Sequence, residues 1–94
     1  MNNFDFLKSP QETKLGIAER VRERRREQRL TQTELASRSN VSLGSIKRFE
    51  RTGEISLSSL IRIAFVLGYA DDFDKLFSRR AYASIEEVIN ERRR

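Results

Sequence analysis

Residues 31–50, TQTELASRSNVSLGSIKRFE, decide the fold of this chain. Thr31 and Glu34 have the spacing of a capping box, and Ser42 is a good N-cap, so two short helices are predicted to begin at these residues. Asn40 lies between them, where a tight turn needs a residue that tolerates positive φ. Four apolar residues at fixed offsets must meet between the two helices: Leu35, Val41, Ile46 and Phe49.

The rest of the chain also predicts helices, because one proline and four glycines are its only breakers and no stretch alternates like a strand. The first helix is predicted from Ser9 as N-cap, with Pro10 at the first helical position and Glu12 completing a capping box, to about Arg29. Later helices are expected from Thr31, over 42–51, after Ser56 to Leu67, over 71–77 and from Ser84. The prediction is an all-α bundle of five helices with a short additional C-terminal helix.

Composition excludes several classes of site. The 94 residues suffice for one domain, and they include no cysteine and no histidine. Disulfides, thiolate metal sites and the commonest general base are therefore absent, and we expect no enzyme activity, no metal and no cofactor.

Charge points to a polyanionic partner. Lys and Arg total 19 against 14 for Asp and Glu, for a net charge of +5, which favours nucleic acid or an anionic membrane surface. No apolar run is long enough to span a membrane, and the N-terminus does not have the pattern of a secretory signal. We therefore expect a cytoplasmic protein with no membrane partner.

With the 31–50 pattern at its centre, the stretch from Leu15 to Phe77 resembles the phage repressor and Cro (XRE) type of helix-turn-helix domain. The resemblance implies a five-helix bundle whose third helix enters the major groove of double-stranded DNA, with dimers binding two half-sites of a palindromic operator. From the predicted helix starts and stops we expect an N-terminal arm over 1–8, a DNA-binding domain over 9–78 and a tail helix over 79–94. An ion pair between Arg25 and Glu50 is implied as well. The candidate DNA-binding residues are Thr31, Gln32, Ser42, Leu43, Gly44, Ser45, Lys47, Arg48 and Arg51.

Two residues depart from the family pattern on the exposed face of the third helix. Leu43 and Gly44 cannot form hydrogen bonds from their side chains to base edges, so direct readout is expected to depend more on Lys47 and Arg48. Gly44 is interpreted either as a tolerated defect or as a position of close approach to DNA. Most arginines between Glu19 and Arg29 are expected on a solvated helix face.

The fourth helix is unusually apolar, with eight apolar residues among the eleven of LSSLIRIAFVL (57–67). Its core face is predicted at Leu57, Leu60, Ala64 and Leu67. Four apolar residues exceed what one amphipathic face needs: Ile61, Ile63, Phe65 and Val66. We interpret them as a homodimer interface, the alternative being burial on several sides by the fifth helix and the tail.

A narrower resemblance extends toward both ends. FLKSPQE (6–12), the stretch from Val41 to Ala64, DDFDKLF (71–77) and the tail at 82–87 look like the regulators encoded beside HipA-type kinase toxins. This resemblance implies an antitoxin that represses its own operon and binds the toxin, with the apolar residues of both ends covered by its own core, its twin or the toxin.

Three other functions stay open at this point. The protein could be a stand-alone repressor with no toxin, or an interaction protein that sequesters a partner and binds DNA incidentally. An RNA-binding role is weaker, because the basic face lacks the stacking aromatic residues that readers of single strands use.

Overall fold

The computed structural model describes residues 8–81, and every regular element in this range is an α-helix. The helices are α1 (Pro10–Glu27), α2 (Gln32–Ser39), α3 (Leu43–Thr52), α4 (Leu57–Leu67) and α5 (Asp71–Asp74). The predicted all-α, five-helix fold is confirmed. Residues 1–7 of the expected arm and the expected C-terminal helix from Ser84 lie outside the described residues.

Capping residues fix the ends of the helices. The hydroxyls of Ser9, Thr31, Ser42 and Ser56 accept hydrogen bonds from the backbone N–H groups of Glu12, Glu34, Ser45 and Ser59. α2, α3 and α4 end at the left-handed residues Asn40 (φ 56°), Gly53 (φ 78°) and Gly68 (φ 86°). These starts and stops follow the sequence prediction, although α1 ends at Glu27 and not near Arg29.

The core lies where α2 packs against α3 and α4. Leu35, Ile46, Phe49 and Ile63 are its largest fully buried side chains. Leu30, Val41 and Leu67 are also buried, and Ala36 packs against them. Burial of each large apolar side chain contributes about 1.5–3 kcal/mol, so this cluster fixes the buried face of α3.

The C-terminus of α3 is fixed to the start of α1. Gly53 lies so close to Lys14 that an added Cβ would come within 2.8 Å of the Lys14 backbone, and its positive φ independently favours glycine. Gln11 donates a hydrogen bond to the carbonyl of Thr52, and the Lys14 ammonium pairs with Glu54. The position of α3 is therefore set at its far end as well as along its buried face.

The orientation of α4 differs from the prediction at two residues. Ile63 is 0% exposed and belongs to the core, so its assignment to a dimer interface is wrong. Leu57, assigned to the core, is 62% exposed. Phe65 is 67% exposed, whereas Ile61 and Val66 are half-buried.

None of the helices described for residues 8–81 has the length and apolar character of a membrane-spanning helix.

α5 is shorter than predicted. It ends at Asp74, and the following turn leads to Phe77, which has a φ of 59° and is 96% exposed. The first residue of the helix is preceded by Ala70, which provides no side-chain cap. The prediction of a helix to Phe77 is therefore wrong in its last three residues.

Candidate nucleic-acid interface

α3 has one buried and one exposed face. Ile46 and Phe49 point into the core. The candidate residues that it turns to solvent, with its N-cap, are Ser42, Gly44, Ser45, Lys47, Arg48 and Arg51. Positions 44, 47, 48 and 51 have the spacing of a single helix face, so the structure brings these candidates together. Leu43 is half-buried at the edge of this face.

Two serines form the entrance to α3. The Ser42 hydroxyl accepts from the Ser45 backbone N–H at 3.1 Å and donates to the Ser45 hydroxyl oxygen at 2.7 Å. The hydrogen of the Ser45 hydroxyl is then directed away from Ser42. This end of the helix therefore presents a small polar donor beside the positive end of the helix dipole.

Gly44 is not required by the fold. It is exposed in the first turn of α3, and an added Cβ would meet nothing within 4 Å. Its conformation does not need glycine either, because φ is not in the left-handed range. The absence of a side chain leaves room for another molecule to approach the helix backbone.

A buried ion pair ties α1 to the end of α3. Arg25 donates from Nε to Oε2 of Glu50 at 2.8 Å and from Nη2 to Oε1 at 3.0 Å. Its Nη1 donates to the carbonyl of Leu30 at 2.8 Å. The two side chains are only 9% and 6% exposed. The pair expected from the family resemblance is therefore present, and it neutralises the single acidic residue on this side of α3.

Gln32 joins the same network. Its side-chain amide donates to Oε1 of Glu50 at 3.0 Å. The residue expected to contact the DNA backbone thus uses one of its two amide hydrogens within the protein. Its second hydrogen and its backbone N–H, at the first position of α2, remain the groups that could bind a phosphate.

A capping box shapes the N-terminus of α2. Thr31 N–H donates to Oε1 of Glu34, and Glu34 N–H donates to the Thr31 hydroxyl, both at 3.0 Å. The backbone hydrogen bond from Thr31 holds the pKa of the Glu34 carboxyl below its ordinary value, with a smaller contribution from the Thr31 hydroxyl. The N–H groups of Gln32 and Thr33 have no partner inside the helix, as is usual in a first turn.

An open basic cleft lies between the exposed face of α3 and the second half of α1. It encloses about 610 Å³. It is lined by Arg22, Arg25, Arg26, Thr31, Gln32, Lys47, Glu50 and Arg51. Arg25 and Glu50 neutralise each other, whereas the other four cations form no ion pair within residues 8–81. The cleft therefore carries a local positive charge and suits an anion such as a phosphate.

Sequence reasoning missed Arg22 and Arg26, which were included with the solvated arginines of α1. The signal was their spacing, because residues 22, 25 and 26 fall on one helix face and Arg25 was already assigned to the α3 side. Arg24 fits the original interpretation better, since it pairs with Glu23 and Glu27 along α1.

Comparison with known proteins gives one match. The model of the Helix-turn-helix family matches residues 21–73, more than half of the chain, including all of α2, α3 and α4. No curated protein and no solved structure matches the chain.

Proposed function

The chain belongs to the helix-turn-helix family of DNA-binding transcriptional regulators, and we propose that it is a sequence-specific repressor that binds a palindromic operator as a homodimer. The observation that carries this proposal is the exposed face of α3 beside a cleft of unpaired cations. One surface reads bases in this arrangement, and the neighbouring surface binds the backbone.

α3 is the element that enters the major groove, which is wide enough for an α-helix. Arg48 is exposed at the centre of the presented face and has the geometry for bidentate hydrogen bonds to guanine. Lys47 and Ser45 provide further donors. Leu43 suits contact with a thymine methyl group, and Gly44 lets the helix approach the bases closely.

The basic cleft binds a backbone phosphate beside the groove. Arg22 and Arg26 approach from α1, and Arg51 and Lys47 approach from α3. The N-terminus of α2, with Thr31 and the N–H group of Gln32, lies at the same cleft and favours an anion through the helix dipole. Because Glu50 is already neutralised by Arg25, it does not repel the phosphate.

The experiment is a salt titration of binding to an operator selected from random DNA and to an unrelated duplex. Arg48→Ala is expected to weaken operator binding by about 1–3 kcal/mol and to relax preference at one base pair. Arg26→Ala should weaken binding to both duplexes equally. It should also reduce the slope of log K against log salt concentration by about one, as expected for the loss of one phosphate contact. Lys75→Ala, which removes one positive charge from an exposed residue outside both the cleft and the proposed dimer surface, is the control.

Three results would contradict this proposal. Equal losses of Arg48→Ala on both duplexes would show that Arg48 touches only phosphate. An unchanged salt slope for Arg26→Ala would remove the cleft from the interface. A protein that bound neither duplex would overturn the repressor proposal and favour the partner-sequestering alternative.

The homodimer proposal is supported by α4. Phe65 is 67% exposed, with the half-buried Ile61 and Val66 beside it, although Ile63 no longer contributes. Val66 also packs partly against the core, so the exposed part of this surface is centred on Phe65, which a second copy would cover. A dimer across this surface would place two α3 helices about 34–36 Å apart, one turn of DNA, to match the palindrome.

A second proposal concerns a protein partner. The resemblance to regulators encoded beside HipA-type kinase toxins supports an antitoxin that binds such a kinase and represses its own operon. The support for this proposal is sequence resemblance. The test is co-expression with a neighbouring kinase gene, followed by size-exclusion chromatography with and without operator DNA. Separate elution in both conditions would leave a stand-alone repressor.

A further inference from the structure

An apolar groove runs along α4 on the side away from the basic cleft. It is lined by Ile17 and Val21 of α1, by Leu60 and Ala64 of α4 and by Phe73 of α5. The groove encloses about 480 Å³. Apolar residues along it stay open to solvent, since Leu57 is 62% and Leu76 55% exposed. A groove of this kind usually has an occupant.

We infer that the occupant is the chain's own C-terminal segment, residues 82–94, which closes the domain as a sixth helix. Ile85, Val88 and Ile89 have the i, i+3, i+4 spacing of one apolar helix face. Such a face needs an apolar surface to pack against, and the groove along α4 provides one.

The lengths agree. Residues 84–94 would form a helix of about 16 Å, and the eleven residues of α4 that run along the groove have the same length. The described chain ends at residue 81, only five residues after Leu76 in the groove wall. The nine steps from Leu76 to Ile85 can span up to about 30 Å, which is enough for the segment to turn back along α4.

The charges agree as well. Arg20 lies at the α1 rim of the groove and forms no ion pair within residues 8–81. On a helix, Glu86 and Glu91 would fall on the two flanks of the apolar stripe, so either orientation of the segment brings a carboxylate toward that rim. Asp72 on the α5 side could in turn receive an arginine from the end of the chain.

The test uses the full chain, which has no native cysteine. A nitroxide attached at Glu87→Cys, on the outer face of the segment, should broaden the methyl signals of Ile17 and Leu60 more strongly than those of Val41. Val88→Asp should abolish this difference and lower Tm by roughly 4–8 °C or more. Asn90→Asp, which adds the same charge on the outer face, should do neither.

A mixture of two differently labelled preparations distinguishes the chain's own segment from that of a second copy. Isotope-labelled chains without nitroxide, mixed with unlabelled chains that carry it, report only contacts between copies. Broadening of Ile17 and Leu60 in that mixture would overturn the proposal in favour of a second copy's segment. Broadening from a nitroxide at Asn3→Cys but not at Glu87→Cys would assign the groove to the N-terminal residues. Equal melting of Val88→Asp and Asn90→Asp, without broadening, would show that the segment does not dock. None of these readouts depends on DNA binding.

Discussion

Glu50→Gln is the substitution with the most direct consequence for the stability of the fold. Glu50 accepts two hydrogen bonds from Arg25 and one from Gln32, at 2.8 to 3.0 Å. Glutamine keeps one acceptor oxygen but replaces the other with an NH₂ group that faces donors. Arg25 would keep its charge and its bond to the Leu30 carbonyl, while losing the carboxylate that neutralises it.

The magnitude follows from burial. Loss of one partner from a fully buried ion pair costs about 3–5 kcal/mol. Because the side chains of this pair are 9% and 6% exposed and the bond to Leu30 survives, we expect a loss of about 2–4 kcal/mol. In a domain of this size each kcal/mol changes Tm by about 4–8 °C, so Tm should fall by roughly 8–32 °C.

The assay is thermal and urea unfolding followed by circular dichroism at fixed protein concentration, in a double-mutant cycle with Arg25→Gln. The double variant should lose less than the sum of the two single variants, because neither charge is then left alone. Glu54→Gln, which breaks the more exposed pair with Lys14, is the matched control and should leave Tm nearly unchanged. If Glu50→Gln melted with the parent, or if the two losses simply added, the argument from burial would be refuted.

Three further outcomes are expected. Gly44→Ala should raise stability by up to about 1 kcal/mol, because its Cβ meets nothing, yet weaken operator binding in the same preparation; unchanged binding would show that DNA does not approach there. Glu34→Gln should flatten the fall of Tm in acid, since a carboxyl with a lowered pKa stabilises the fold above its unfolded pKa and loses that contribution as the pH falls through the folded value; an equally steep acid profile would argue against this. Phe65→Asp should abolish dimers in sedimentation without lowering monomer stability, and a persistent dimer would place the interface elsewhere.

The elements of the fold were predictable from the sequence wherever a local signal sets the boundary. The caps at Ser9, Thr31 and Ser42 and the left-handed stop at Asn40 act within three or four residues, so the sequence contains what is needed to locate them. α5 lacked such a signal, because Ala70 gives no side-chain cap, and its end was misplaced.

The rotation of α4 could not be predicted in the same way. With eight apolar residues among eleven, the helix has little contrast between its faces, and several rotations bury similar apolar area. The position of α2 and α1 decides that Ile63 faces inward and Leu57 outward. That information comes from tertiary packing and not from periodicity.

The candidate interface also has one part that was predictable from local sequence and one part that depends on tertiary packing. The exposed face of α3 follows from helical spacing around Ile46 and Phe49. The cleft formed with Arg22 and Arg26 does not, because on a helix as rich in charge as α1 every arginine looks solvated until the neighbouring helix is placed. Likewise, the bond from Gln32 to Glu50 depends on a contact between residues 18 positions apart.

The residues that pack α3 against the domain are different from those on its exposed face, so the exposed residues can be exchanged without disturbing the packing. Ile46, Phe49, Glu50 and Gly53 hold the helix to the body, and none of them lies on the stripe of 44, 47, 48 and 51. Exchanging the stripe should therefore redirect the protein to a different DNA site while the unfolding transition stays cooperative. If α3 reads the operator as proposed, single substitutions in this stripe should give folded proteins with altered DNA preference.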